Sequence, residues 1–140
     1  MDNKLIYANE AELKKQQWYA EVKRDSYGHA YKALPKAGAH RPYLERYWPE
    51  KLPMIEKLIE LMRDWKTERC EIFCTAYAAW NDLLLQGREP TNEAVLHEIL
   101  DCWNESKKRI PAERWLKAIH WMKKEGWEPQ GFGKPTKRLK

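Results

Sequence analysis

Between Pro53 and Gly126 the apolar residues of this 140-residue chain recur at spacings of three and four, in runs opened by Pro or Thr. That period fits one face of an α-helix and does not fit the two-residue alternation of a half-buried strand. Ile55, Leu58, Ile59, Met62 and Trp65 form the first stripe, behind Pro53, whose missing amide suits a first helical turn. Thr67 is placed to cap a second helix carrying Ile72, Phe73, Ala76, Tyr77, Trp80, Leu83 and Leu84, with Gly87 as its terminator. Thr91 caps a third stripe of Val95, Leu96, Ile99, Leu100 and Trp103. Pro111 opens a fourth, in which Trp115, Leu116, Ile119 and Met122 point inward before Gly126 stops it.

Upstream, the spacing predicts a helix from about Glu10 to Arg24, capped by Asn9 with Glu12 three residues on. The 28 residues from Ser26 to Pro53 hold four Pro and two Gly, which excludes long regular elements and leaves room for a short helix at Arg41 to Tyr47. No run alternates over four to eight residues. The expected fold is therefore all-α, a compact bundle of about five helices with a Pro-rich loop over 26–52 and a basic C-terminal tail. One helical domain over 1–126 and an extended tail over 127–140 are the expected organisation.

A chain with 8 Trp and 7 Tyr is not globally disordered. Folding at this mass leaves roughly 7,600 Å² exposed out of about 24,000 Å², enough burial for a core without disulfide or metal staples. The longest uncharged stretch through the middle, Ile72 to Asn81, is ten residues and far short of a bilayer span. MDNKLIYANE lacks the apolar core of a signal peptide. Cys70, Cys74 and Cys102 are too few, and odd in number, for a disulfide scaffold. The expectation is a cytoplasmic, reducing location and no membrane partner.

The net charge of +5 hides a segregation. Residues 1–50 carry +2, residues 51–106 carry −5 and residues 107–140 carry +8. Within the basic end, Arg114, Lys117, Trp121 and Lys124 share one face of the last helix, preceded by Lys107, Lys108 and Arg109 and followed by Lys134, Lys137, Arg138 and Lys140. Such a surface suits phosphates, with an exposed Trp121 to stack or wedge; five phosphate contacts on duplex DNA would give a salt slope of roughly −4.5. The alternative is a solvated helix face and a solubilising tail. A helix-turn-helix is also open, with Arg114, Lys117 and His120 as its few base-reading side chains.

Between Tyr27 and Trp48, the rings of Tyr27, Tyr31, Tyr43, Tyr47 and Trp48 interleave with His29, Lys32, Lys36, His40, Arg41 and Arg46. Aromatic platforms among cations suit a single strand or an acidic protein partner, with Tyr43, Tyr47 and Trp48 as the docking residues. The alternative is that these rings cover the core. Trp48, Trp121 and Trp127 are the tryptophans expected to be exposed.

GxSxG, HExxH, paired CxxC and EF-hand signatures are all missing. Gly133, Lys134, Pro135 and Thr136 imitate the end of a phosphate loop but lack its first glycine and its magnesium-binding hydroxyl. Cys70 with Cys74, and His97 with Asp101, are four apart on successive helices, a spacing that can hold zinc, but the two cysteines adjoin the apolar stripe and core packing is the stronger reading. The expectation is no metal, no cofactor and no enzymatic activity.

The stretches EIFCTAYAAWNDLLLQGREPTNEAV and RIPAERWLKAIHWMKKEGWEPQGFGK resemble the helical C-terminal regions of type I restriction endonuclease motor subunits, which dock the motor onto its methyltransferase. The resemblance covers roughly 68–134 and rests on Ala78, Trp80, Asn81 and Asp82 in one helix and on Trp121, Met122, Gly126, Pro129 and Gly131 near the end. It implies a small helical accessory of a bacterial DNA-processing or defence (restriction-modification) system. The function expected is a nucleic-acid contact through the basic end, with DNA ahead of RNA, beside a larger protein partner. The alternative is a purely protein-binding adapter or regulatory subunit.

Overall fold

Asn3–Lys15 forms α1 in the computed structural model, which describes residues 3–23, 29–103 and 105–136. Asn9 therefore lies inside this helix, and not at its cap. Gln17 adopts a left-handed backbone (φ 61°) just past its end. The Gln17 and Trp18 amides donate to Lys14 O and Leu13 O, both at 3.0 Å, the double closure that glycine usually makes. The chain then reverses. Residues expected to continue the helix form strand β1, Tyr19–Lys23, antiparallel to β2, His29–Ala33, with Tyr19 opposite Ala33 and Lys23 opposite His29. The all-α expectation is corrected to a predominantly helical fold with one small hairpin. Tyr and Val favour the pleated surface, and the rings of Tyr19 and Tyr31 meet edge-on at 5.0 Å across the pair.

The chain divides into two units, residues 1–61 and 62–140. In the first, the Pro-rich segment contains β2 and also α2, Arg41–Tyr47, where a short helix was expected. Helix α3, Leu52–Met62, follows. Arg41 joins the two helices by bonding Glu45 at 3.1 Å and Glu56 at 2.6 Å. Among the described residues of this unit none is buried.

In the second unit α4, Thr67–Leu85, is central. Lys66 holds its cap position and Thr67 is its first helical residue, so the expected threonine cap is not made. Thr91 does cap α5, Asn92–His97, accepting from the Ala94 amide at 3.1 Å. The chain continues through a π-helical turn (Glu98–Trp103) and a 3-10 turn (Glu105–Arg109) into α6, Ala112–Lys124. Glycine stops the helices as expected: Arg88 and Gly87 amides close α4 on Leu83 O and Leu84 O, while Trp127 and Gly126 amides close α6 on Met122 O and Lys123 O.

Helix α4 packs on α5 and α6. Ala76 and Ala79, fully buried, keep its inner face low, and Leu83, Val95, Ile99, Trp115, Ile119 and Met122 fill the space with nothing left exposed. Each such large side chain contributes about 1.5–3 kcal/mol of burial. Trp115 Nε1 donates to Ile110 O at 3.2 Å, and the buried Glu98 carboxylate meets Arg88 at 3.5 Å.

Residues 127–136 carry no helix or strand, yet they do not hang free. Trp127 and Pro129 are buried. Asn81 of α4 accepts from the Gly131 and Phe132 amides at 3.0 and 3.1 Å and donates to Phe132 O at 2.9 Å. Asp82 Oδ1, one residue on, accepts from the Thr136 amide at 2.9 Å and from its hydroxyl at 3.3 Å. This part of the expected tail is a strap laid on α4. Lys137, Arg138 and Lys140 lie outside the described residues. No described helix is long and apolar enough to cross a membrane.

Candidate nucleic-acid interface

The basic face built by the 3-10 turn and α6 is largely neutralised. Lys107 bonds Glu71 at 2.7 Å, and Arg109 reaches the other oxygen of the same carboxylate. Arg114 pairs with Glu68, Lys117 with Glu113 at 2.6 Å, and Lys108 lies 3.9 Å from Glu105. Five cations thus meet four carboxylates. Hydrogen bonding from Lys107, with Arg109 beside it, holds the Glu71 carboxyl below the usual carboxylate range, and Lys117 does the same to Glu113. The acidic middle and the basic end, segregated along the chain, pair in space. Lys124 and Lys134 are exposed and have no ion-pair partner among the described residues.

Trp121 is not the free ring that its helical position implied. It is half-buried, with Trp65 at 5.8 Å and Phe73 at 6.1 Å, both edge-on. Phe73 also meets Trp65 at 5.5 Å and Trp127 at 6.0 Å, so Trp127, 8% exposed, belongs to the same cluster. Beside it runs a cleft of about 290 Å³ lined by Trp65, Phe73 and Trp121 and edged by Arg69, Arg114 and Lys117. The Arg69 guanidinium lies 4.2 Å from the Trp65 ring centroid and occupies one ring face.

A second cleft, of about 520 Å³, lies between Trp80, Thr91 and Lys123 and carries Glu89, Glu93 and Glu128. Lys123 is held there by Asn92 at 2.8 Å and stands 5.3 Å over the Trp80 ring. The paired ligands considered for zinc are not assembled. His97 lies 3.8 Å from Asp101 and 4.0 Å from the Cys102 sulfur, Cys70 is half-buried and Cys74 exposed. Among the described residues no group of three or more His, Cys, Asp or Glu is placed to hold a metal ion. The π and 3-10 turns separate α5 from α6, in place of the three- or four-residue turn of a helix-turn-helix.

Tyr43, Tyr47 and Trp48 stand 66%, 60% and 52% exposed, so these rings do not cover a core. Arg46 lies over the Tyr47 ring at 5.4 Å.

Sequence spacing pointed away from Phe132. It is 75% exposed, the most exposed large apolar side chain among the described residues, and its backbone is gripped by Asn81. The flanking Gly131 and Gly133 were the available signal. No known protein family, no curated protein and no solved structure matches the chain.

Proposed function

We propose that this chain is a non-enzymatic helical module that contacts nucleic acid through its basic end, with Lys134, Lys137, Arg138 and Lys140 meeting phosphates. Lys107, Arg109 and Arg114 serve chiefly to join the basic part of the second unit to Glu68 and Glu71 of α4, while Lys108 and Lys117 pair locally with Glu105 and Glu113. The observation that carries this reading is compositional and positional together. From Pro129 to the end the sequence has four cations and no acid, and the first of them, Lys134, is exposed on a strap anchored to α4. No carboxylate from Pro129 onward competes with a phosphate as Glu71 does for Lys107 and Arg109. The resemblance to restriction motor subunits supports DNA ahead of RNA and an accessory place in a restriction-type assembly.

Anisotropy of labelled DNA and RNA oligonucleotides at low salt tests it. Binding that is lost when Lys134, Lys137, Arg138 and Lys140 are together changed to Glu is expected. No binding by the parent chain would defeat the reading.

The open rings of Tyr43, Tyr47 and Trp48 favour a second role, docking on a larger protein. More than half of each is in water, and aromatic anchors of this kind dominate interface energies. A stoichiometric partner retained after nuclease treatment and at high salt, and lost when the three become Ser, is the expected result. Retention by the triple variant would exclude this surface.

A further inference from the structure

We infer that Phe132 is a preorganised stacking platform for an unpaired base, so that the basic end recognises single-stranded nucleic acid. This rests on the nucleic-acid reading above and names the strand state it selects. A single exposed apolar residue is ordinary on a protein surface. Phe132 differs in what holds it.

One side chain, Asn81, takes both amide hydrogens of Gly131 and Phe132 and returns a hydrogen bond to Phe132 O, all within 3.1 Å. Gly131 and Gly133 have left-handed backbones, φ 74° and 85°, so the chain bends on both sides of the ring. A Cβ on Gly131 would meet Leu84 Cβ at 3.4 Å, and the φ itself would strain any other residue. Three residues past Gly133, Asp82 pins Thr136. Ordering a loop opposes folding through lost backbone entropy, and here that order fixes a ring in water without burying it. Such order is recovered when the ring meets a ligand, because less freedom remains to be lost on binding.

The charge around the ring decides what the ligand is. Lys134 is exposed two residues along, and no acid follows Glu128. A ring face beside a cation is the elementary unit of single-strand binding, and it is insensitive to base identity. In duplex DNA the bases are stacked on each other and offer the ring no free face. Trp121, the ring that helical spacing favours, is half-buried and packed edge-on against Trp65 and Phe73. Phe132 takes the place it leaves.

The test compares the parent, Phe132→Ala, Phe132→Trp and Asn81→Ala, using a fluorescein-labelled 15-nucleotide thymidine strand and a 15-base-pair duplex in anisotropy titrations. Phe132→Ala should weaken single-strand affinity by roughly 5- to 150-fold, the worth of one stacked base, and leave duplex affinity unchanged. Phe132→Trp should retain it, and Asn81→Ala should weaken it while the ring remains. Circular dichroism melting confirms that each variant is folded. Equal single-strand affinity in Phe132→Ala and the parent overturns the inference while leaving the nucleic-acid reading intact. Failure of the parent to bind either probe overturns both. A protein partner whose retention needs Phe132, with no oligonucleotide bound, would move the ring to a protein interface and overturn the inference.

Discussion

Replacing Asn81 by Ala is the sharpest perturbation the fold offers, because one side chain carries three hydrogen bonds to a segment fifty residues away in sequence. Each such bond is worth about 0.5–1.5 kcal/mol net, since water replaces it when it breaks. Two of the three end on Phe132, which faces solvent, so their values belong to the lower part of that range. The expected loss is about 2 kcal/mol, equivalent to roughly a 30-fold rise in opening of the strap. That opening is local, because Trp127 and Pro129 stay buried and the Trp127 amide still closes α6 on Met122 O at 2.8 Å. Amide hydrogen exchange by NMR should show protection falling at Gly131 and Phe132 and held at Trp127. Unchanged exchange at Gly131 and Phe132 would refute the clamp. Loss of protection at Trp127 as well would show that the strap and the helix end open as one piece.

Glu71→Gln should flatten the acid limb of stability. The folded-state pKa of Glu71 is lowered, first by the hydrogen bond from Lys107. Its contribution is therefore present above the ordinary carboxylate range and disappears as pH falls through the lower folded value. Urea midpoints of parent and variant should converge as pH falls below the ordinary Glu value of about 4.3; parallel curves would count against the pair. Trp115→Phe preserves most of the core volume but strands the buried Ile110 carbonyl, at a cost of about 1–3 kcal/mol read by chemical denaturation. A variant as stable as the parent would mean that the 3.2 Å bond contributes nothing. Thr91→Ala removes the cap of α5 and should cost about 1 kcal/mol, whereas Thr67→Ser should cost little because Thr67 makes no cap.

Local chemistry made part of this fold readable. Gly87, Gly126, Pro42 and Thr91 act at short range, through missing amides, caps and permitted dihedrals, and α2, α5 and the ends of α4 and α6 follow from them. The N-terminal hairpin was hidden because Gln17, with no glycine near it, takes the left-handed conformation that ends α1. Its five-residue strands mix Ala, Lys and Val on one face, so their alternation is weak. Helical spacing correctly grouped Arg114, Lys117 and Trp121 but carried no information about Glu68, Trp65 and Phe73, which reach them from elsewhere in the second unit. The charge pattern misled for the same reason. The basic segment and the acidic one are separate along the chain, yet Lys107, Arg109 and Arg114 pair with Glu71 and Glu68 of α4. The Asn81–Phe132 clamp is a contact at a separation of 51 residues, beyond any periodic pattern.

The central claim is that the basic end, and not the α6 face, meets phosphate, and a salt titration of single-stranded DNA binding tests it most directly. If Lys134, Lys137, Arg138 and Lys140 each meet one phosphate, log affinity should fall against log salt with a slope of about −2.8, from roughly −0.7 per phosphate on a single strand. Reversing the charge of Lys107 and Lys117 should leave that slope unchanged, and reversing those four should abolish it. A slope that survives the four reversals, or one that collapses with Lys107 and Lys117, would contradict the account.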